Sequence, residues 1–275
     1  MSSEALPAWS EPFTADRRTD LLHASPFREF DRADAWGGST GSSVTVAVID
    51  SGVEGSHPEL GGKLVRSVTV EFDAAGEPAI IEDADATDVV GHGTACAAII
   101  HALAPAAEIV SIRVLGPENR GKGTLFAAGL DWAIKQGVTV ANLSLSSRSE
   151  AMFGAFHELA DQAYFANVLL VSAANNVRVA SYPSLFAAVV SVAAHDVADP
   201  LTYFYNPRPP VEFGARGVDV DVAWKGGRRI MATGNSFAAP HIAGIAALIR
   251  SKHQAATPFE VKAILAATAT PGGVA

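Results

Sequence analysis

The chain has 275 residues, a formal charge of −9, 49% apolar and 18% charged residues, and a single cysteine, Cys96. That length suits one α/β core with a substantial interior, and a lone cysteine excludes an internal disulfide. The acidic balance argues against a nucleic-acid partner, since the nearest approach to a basic cluster is the pair Arg228–Arg229, and no apolar run reaches the ~20 residues of a membrane span.

Residues 1–35 read as an N-terminal arm, rich in Pro, Ser, Asp and Arg and without a sustained period, leading through Trp36-Gly-Gly-Ser-Thr-Gly-Ser-Ser43 into a domain over 36–275. The first residues lack the basic start and the roughly 7–15-residue apolar stretch of a secretory signal, which predicts a cytoplasmic protein. From Val44 onward β-branched runs alternate with Ala-rich helical runs. Strands are predicted near 44–50, 108–115, 138–145, 167–173 and 188–194, and helices near 93–103, 124–136, 151–166, 237–253 and 258–268. This alternation predicts right-handed crossovers and an α/β fold of three layers, α/β/α, around a mostly parallel central sheet. The unbroken apolar character of Val168-Leu-Leu-Val171 fits a strand buried on both faces. No internal repeat or second-domain linker is visible.

Three short words carry the chemistry: Val-Ile-Asp-Ser-Gly at 48–52, Gly-His-Gly-Thr at 91–94 and Gly-Asn-Ser-Phe-Ala-Ala-Pro-His at 234–241. Asp50 falls at the carboxyl end of a strand, where open parallel sheets place ligands. His92 and Ser236 fall at helix starts, the latter helix carrying Pro240 in its first turn. A serine hydroxyl needs a base within reach and a third group to orient that base, and Asp50, His92 and Ser236 supply the set. Alone, each has an ordinary reading: a turn former, a loop residue, an N-cap. Their joint order and setting make those readings poor.

Together these words resemble the subtilisin-like serine peptidases, over about Trp36 to Ala269. The resemblance implies a serine endopeptidase acting through an acyl-enzyme, with Asp50, His92 and Ser236 as triad, a peptide or protein substrate and no cofactor or catalytic metal. Ser172-Ala-Ala-Asn-Asn176 resembles the family's Ser-Ala-Gly-Asn stretch, which puts the oxyanion-stabilising amide on Asn175, with Asn176 as the competing assignment. Asn142-Leu-Ser-Leu-Ser-Ser147 resembles the segment that pairs with an extended substrate. It implies a cleft with Ser144, Leu145 and Ser146 on one side, Gly121 and Gly123 within Arg120–Thr124 on the other, and Ala173 and Ala174 at the specificity pocket. Tyr182–Pro183 lies in a Tyr-Pro segment similar to the family's and is a candidate cis bond.

Departures from the pattern carry their own expectations. Asn235 replaces the family's Thr beside the nucleophile, and Ser146 and Ala174 stand where glycines are common, which predicts a narrowed pocket that disfavours large aromatic residues. The loop after His92 that binds calcium in many relatives is missing. Glu82, Asp83, Asp85 and Asp88 lack the spacing of a dedicated calcium loop; bordering the cleft, they would favour basic substrates. Cys96, four residues after His92, shares its helical face. The Gly-His-Gly-Thr-Ala-Cys-Ala word is similar to that of peptidases of cyanobactin maturation, implying a processing role. A peptide ligase or macrocyclase with the same triad, and a non-catalytic peptide-binding homologue, are the rival readings.

Overall fold

The computed structural model describes residues 31–208 and 210–271. In chain order the elements are α1 (Arg32–Trp36), β1 (Thr45–Asp50), β2 (Leu64–Phe72), β3 (Pro78–Glu82), α2 (His92–Leu103), β4 (Glu108–Arg113), α3 (Gly123–Lys135), β5 (Val140–Leu143) and α4 (Phe153–Phe165). There follow β6 (Leu169–Ala173), β7 (Val190–His195), β8 (Tyr203–Tyr205), β9 (Phe213–Arg216), β10 (Val220–Trp224), β11 (Arg228–Ala232), α5 (Asn235–Lys252) and α6 (Pro258–Ala267).

A nine-stranded sheet has the order β3-β2-β4-β1-β5-β6-β7-β9-β8, parallel from β2 through β9 and closed at each edge by an antiparallel strand. β10 and β11 form a separate hairpin. Side chains alternate across the sheet, as the two-residue period requires. On β1, Val46 and Val48 pack with α2 and α5, whereas Ala47 and Ile49 pack with α3 and α4. The three-layer α/β/α expectation therefore holds, with one apolar cluster on each face.

All five predicted strands and all five predicted long helices form, with ends shifted by a few residues. Pro240 lies in the second turn of α5, not the first. The Tyr182–Pro183 bond is cis. The end of the predicted arm forms α1, whose Ala35 and Trp36 are buried in the core; residues 1–30 lie outside the described residues. No helix among the described residues is long and apolar enough to cross a membrane.

Candidate active site

β1 ends at Asp50, which is fully buried, and α2 begins at His92. His92 Nδ1 stands 2.8 Å from Asp50 Oδ1 and 2.9 Å from Oδ2. A carboxylate only accepts, so Nδ1 carries the proton and Nε2 is left as the free acceptor. Two glycines let the ring reach that position. Gly91 has φ +117° and presents the face where a Cβ would stand 2.6 Å from the Trp224 ring, and a Cβ on Gly93 would lie 2.0 Å from the Gly52 carbonyl. Phe237, next to Ser236, packs its ring 5.1 Å from the imidazole.

A second carboxylate, Asp88, shapes the entry to α2. Its Oδ1 accepts from Ser51 Oγ, Val90 N–H and Gly91 N–H, and its Oδ2 accepts from the N–H and hydroxyl of Thr94. Ser51 Oγ in turn accepts from Gly93 N–H. Burial works against a charged His92, but the charge and hydrogen bond of Asp50, with the charge of Asp88, outweigh it and raise the imidazole pKa above its usual value.

Ser236 occupies the first turn of α5. Pro240 has no N–H to give the Ser236 carbonyl four residues earlier, and side chains use that free acceptor: Ser144 Oγ donates at 2.8 Å and the Cys96 thiol approaches at 3.5 Å. Asn142 Nδ2 donates to Ser144 Oγ. The nucleophile candidate is thus tied to β5, which follows β1 in the sheet. Cys96 is fully buried, with Sγ also 3.8 Å from Asp50 Oδ2; burial, then the charge of Asp50, pushes its pKa far up, so it stays a thiol.

The two asparagines diverge. Asn175 Oδ1 accepts from Val177 N–H, closing a local turn. Asn176 Oδ1 accepts from Asn235 N–H, one residue before Ser236. That bond fixes the Asn176 amide beside the serine: the face of Gly234 looks onto both Ser236 Oγ and Asn176 Nδ2, 3.3 and 3.6 Å from where a Cβ would be. Asn235 cross-links the surrounding loops, accepting from Ala194 N–H and donating to the Ala174 and Asn175 carbonyls. In the first turn, Asn235 N–H is taken by Asn176 and Phe237 N–H by Gly234 O. Ser236 N–H has no acceptor among the described residues.

An open cavity of about 730 Å³ runs past His92 and Ser236. Gly121, Gly123, Ser144, Leu145, Ser146, Ala173, Ala174 and Asn175 all line it, so every sequence-predicted site residue meets here, with Asp50 directly behind His92. Sequence reasoning placed Lys122 in the cleft wall with its Arg120–Thr124 stretch but missed Arg148, Leu115 and Phe126, which also line the cavity. It also read Asp88 only as part of an acidic loop, although its place four residues before the histidine was a usable signal. The acidic segment does not border this cavity, which corrects the expectation of a preference for basic substrates. Glu82 pairs with Arg66, Asp83 accepts from Thr87, Asp88 is committed to the α2 entry, and Asp85 lines a separate cavity with Lys225 and Arg228.

Residues 41–275 match the family described as Subtilase family, Peptidase_S8. A thermostable alkaline protease of Halalkalibacterium halodurans is 33% identical over 85% of this chain and 64% of its own length. Subtilisin BL of Lederbergia lenta is 34% identical over 86% of this chain and 87% of its own. The chain therefore spans just under two thirds of the first and most of the second. Among solved structures, a cold-adapted subtilisin-like serine proteinase superposes with a TM-score of 0.67 at 29% identity, covering 83% of each chain. Matched over nearly all of its described core, the chain belongs to the subtilase family of serine peptidases.

Proposed function

We propose that this chain is an endopeptidase that hydrolyses peptide bonds through an acyl-enzyme on Ser236. His92 Nε2 takes the serine proton as Oγ attacks the scissile carbonyl, then returns it to the leaving amine, and water repeats the sequence to release the acid product. Asp50 holds the Nδ1–H tautomer and stabilises the imidazolium that forms. The tetrahedral oxyanion is met by two donors placed in advance, Ser236 N–H and Asn176 Nδ2. The side-chain partners favour Asn176 over Asn175 for this role, because Asn176 is fixed against the Asn235 backbone beside the nucleophile. The observation that carries the reading is the buried Asp50–His92 hydrogen bond facing a cleft that Ser236 shares.

Extended substrate would lie between Gly121–Gly123 and Ser144–Ser146 by strand addition. Ser146 stands where glycine is common at the pocket. With the donor at Asn176, the residue before it, Asn175, takes the glycine place of Ser-Ala-Gly-Asn that Ala174 held in the Asn175 assignment. The added side chains reduce the room, which disfavours Phe and Tyr at the cleaved position. We further assign the enzyme to the cytoplasm, in keeping with a single cysteine that can form no internal disulfide and testable by cell fractionation, and to a processing role that rests on the similarity of the word at 91–97 to that of cyanobactin-maturation peptidases.

A fluorophosphonate should label Ser236 in the intact protein, with no labelling of Ser236→Ala. Product masses should show the gain of one water per cleavage; peptide products joined without that gain would instead support ligation. Asn176→Ala should lower kcat by roughly 10²–10³-fold, the scale for losing one oxyanion donor, and Asn175→Ala much less. The reverse order would return the donor role to Asn175.

A further inference from the structure

The cleft carries a charge opposite to that of the molecule. Lys and Arg total 20 against 29 Asp and Glu, yet among the residues lining the cavity the fixed charges are Arg120, Lys122 and Arg148, all positive. Glu118 and Glu150, their nearest acidic neighbours in sequence, do not line it.

Elsewhere several basic side chains are neutralised by carboxylates: Arg66 with Glu82, Lys135 with Asp131, Arg229 with Asp221, Lys262 with Glu212. Arg120, Lys122 and Arg148 are exposed, and none has an ion pair or side-chain hydrogen bond among the described residues. They also stand on both arms of the cleft. Arg120 and Lys122 alternate with Gly121 and Gly123 along one arm, and both line the cavity. Arg148 follows the opposite arm beyond Ser146 and Ser147. Around them Ser147, Ser149 and Asn119 offer neutral hydrogen bonds and no competing negative charge.

We propose that the cleft selects peptide segments bearing Asp or Glu close to the scissile bond, with Arg120, Lys122 and Arg148 as the specificity-determining residues. This rests on the endopeptidase reading and names its substrate class. Exposed pairs contribute modestly one at a time, but three like charges along a concave surface add and attract an acidic chain before it docks. An acidic peptide should therefore exceed its basic counterpart roughly tenfold in kcat/KM at low salt. High salt should erase most of that margin, since the Debye length falls from ~10 Å at 0.1 M to ~3 Å at 1 M.

The test uses matched fluorogenic peptides of one neutral parent, with Asp, Gln or Lys within three residues of the cut. The order expected is Asp, then Gln, then Lys, the spread lying in KM and collapsing at 1 M salt. Arg148→Glu and the double change Arg120→Glu with Lys122→Glu should each weaken or invert the order. Anisotropy of the Asp and Lys peptides bound to Ser236→Ala reads the same preference without turnover. Equal affinity for the two peptides there, or a preference that survives the charge reversals, overturns the proposal. Failure of Ser236 to react with fluorophosphonate would overturn the hydrolytic reading instead, and the anisotropy result would still decide the charge selectivity of the groove.

Discussion

Asp88 gathers five donors onto two oxygens while buried beneath the start of α2. Three of those donors are the N–H groups of Val90, Gly91 and Thr94, which flank the histidine, so Asp88 acts on the proposed base through backbone position and through charge. In Asp88→Asn one oxygen becomes an amide that cannot accept, leaving either the Thr94 pair or the Ser51, Val90 and Gly91 set facing a donor. Loss of a buried acceptor of this kind costs about 1–3 kcal/mol, to be read in a melting curve. The pH profile separates this structural loss from the electrostatic one. The negative charge of Asp88 favours imidazolium, so its removal lowers the His92 pKa. The base must be neutral to act, and the acid limb of kcat/KM should therefore move to lower pH in the variant. An acid limb that stays in place while stability falls would reduce Asp88 to scaffolding. Cys96 contrasts with it, since a thiol kept protonated by burial adds contact and no charge.

Helix α5 links the site to the core. Its residues from Phe237 to Arg250 are buried, and Gly244 allows α2 to approach so closely that a Cβ there would stand 2.9 Å from Leu103 Cβ. Within this helix His241 is a polar ring enclosed by packing, with Nδ1 on the Phe237 carbonyl. Burial lowers its pKa to about 4; the Phe237 carbonyl opposes this, and the positive charge of Arg216 adds to it. The unfolded chain protonates this histidine near its ordinary value of 6.5, whereas the folded chain holds it neutral down to about 4. Between those values the unfolded state binds more protons, so stability must fall as pH drops through that window. The loss attributable to His241 reaches at most about 3 kcal/mol, at 1.36 kcal/mol per unit. His92, whose pKa is raised, contributes with the opposite sign and partly masks it in the wild type. Comparing His241→Gln with wild type at pH 7 and pH 4.5 cancels that background: the variant should lose less melting temperature on acidification. Equal losses would show that the ring titrates freely in α5.

At the scale of the whole molecule, the parallel centre of the sheet was legible in the sequence because buried strands must be apolar throughout, as in Val46-Ala-Val-Ile49 and Leu169-Leu-Val171. The edges were not. β3 is exposed along most of its length and β11 begins with two arginines, so neither shows the alternation that marks a half-buried strand. The three words that carry Asp50, His92 and Ser236 were readable because each sits at an element boundary with small residues around it. The choice between Asn175 and Asn176 was not, since adjacent identical side chains differ only in the partners that folding brings to them. Helix α1 escaped notice for a related reason: five residues are too few to display a period, and its stability comes from tertiary contacts. Arg32 donates to the Thr268 carbonyl and Thr270 hydroxyl and lies 5.7 Å and 5.6 Å from the Trp36 and Tyr203 ring centres. Tyr203 in turn shares a 2.6 Å hydrogen bond with Thr268, so one side chain joins α1, β8 and the end of α6. Arg32→Ala removes a charge-assisted fork and a ring contact, at a cost of about 2 kcal/mol. For a domain of this size each kcal/mol lowers the melting temperature by about 2–4 °C, which sets the expected drop. Arg32→Lys keeps the cation over the rings but loses the fork, and should fall between. Because this junction lies at the end of α5 opposite Ser236, kcat/KM below the transition should be unchanged in both; a loss of activity there would mean that α1 positions the site as well as closing the fold.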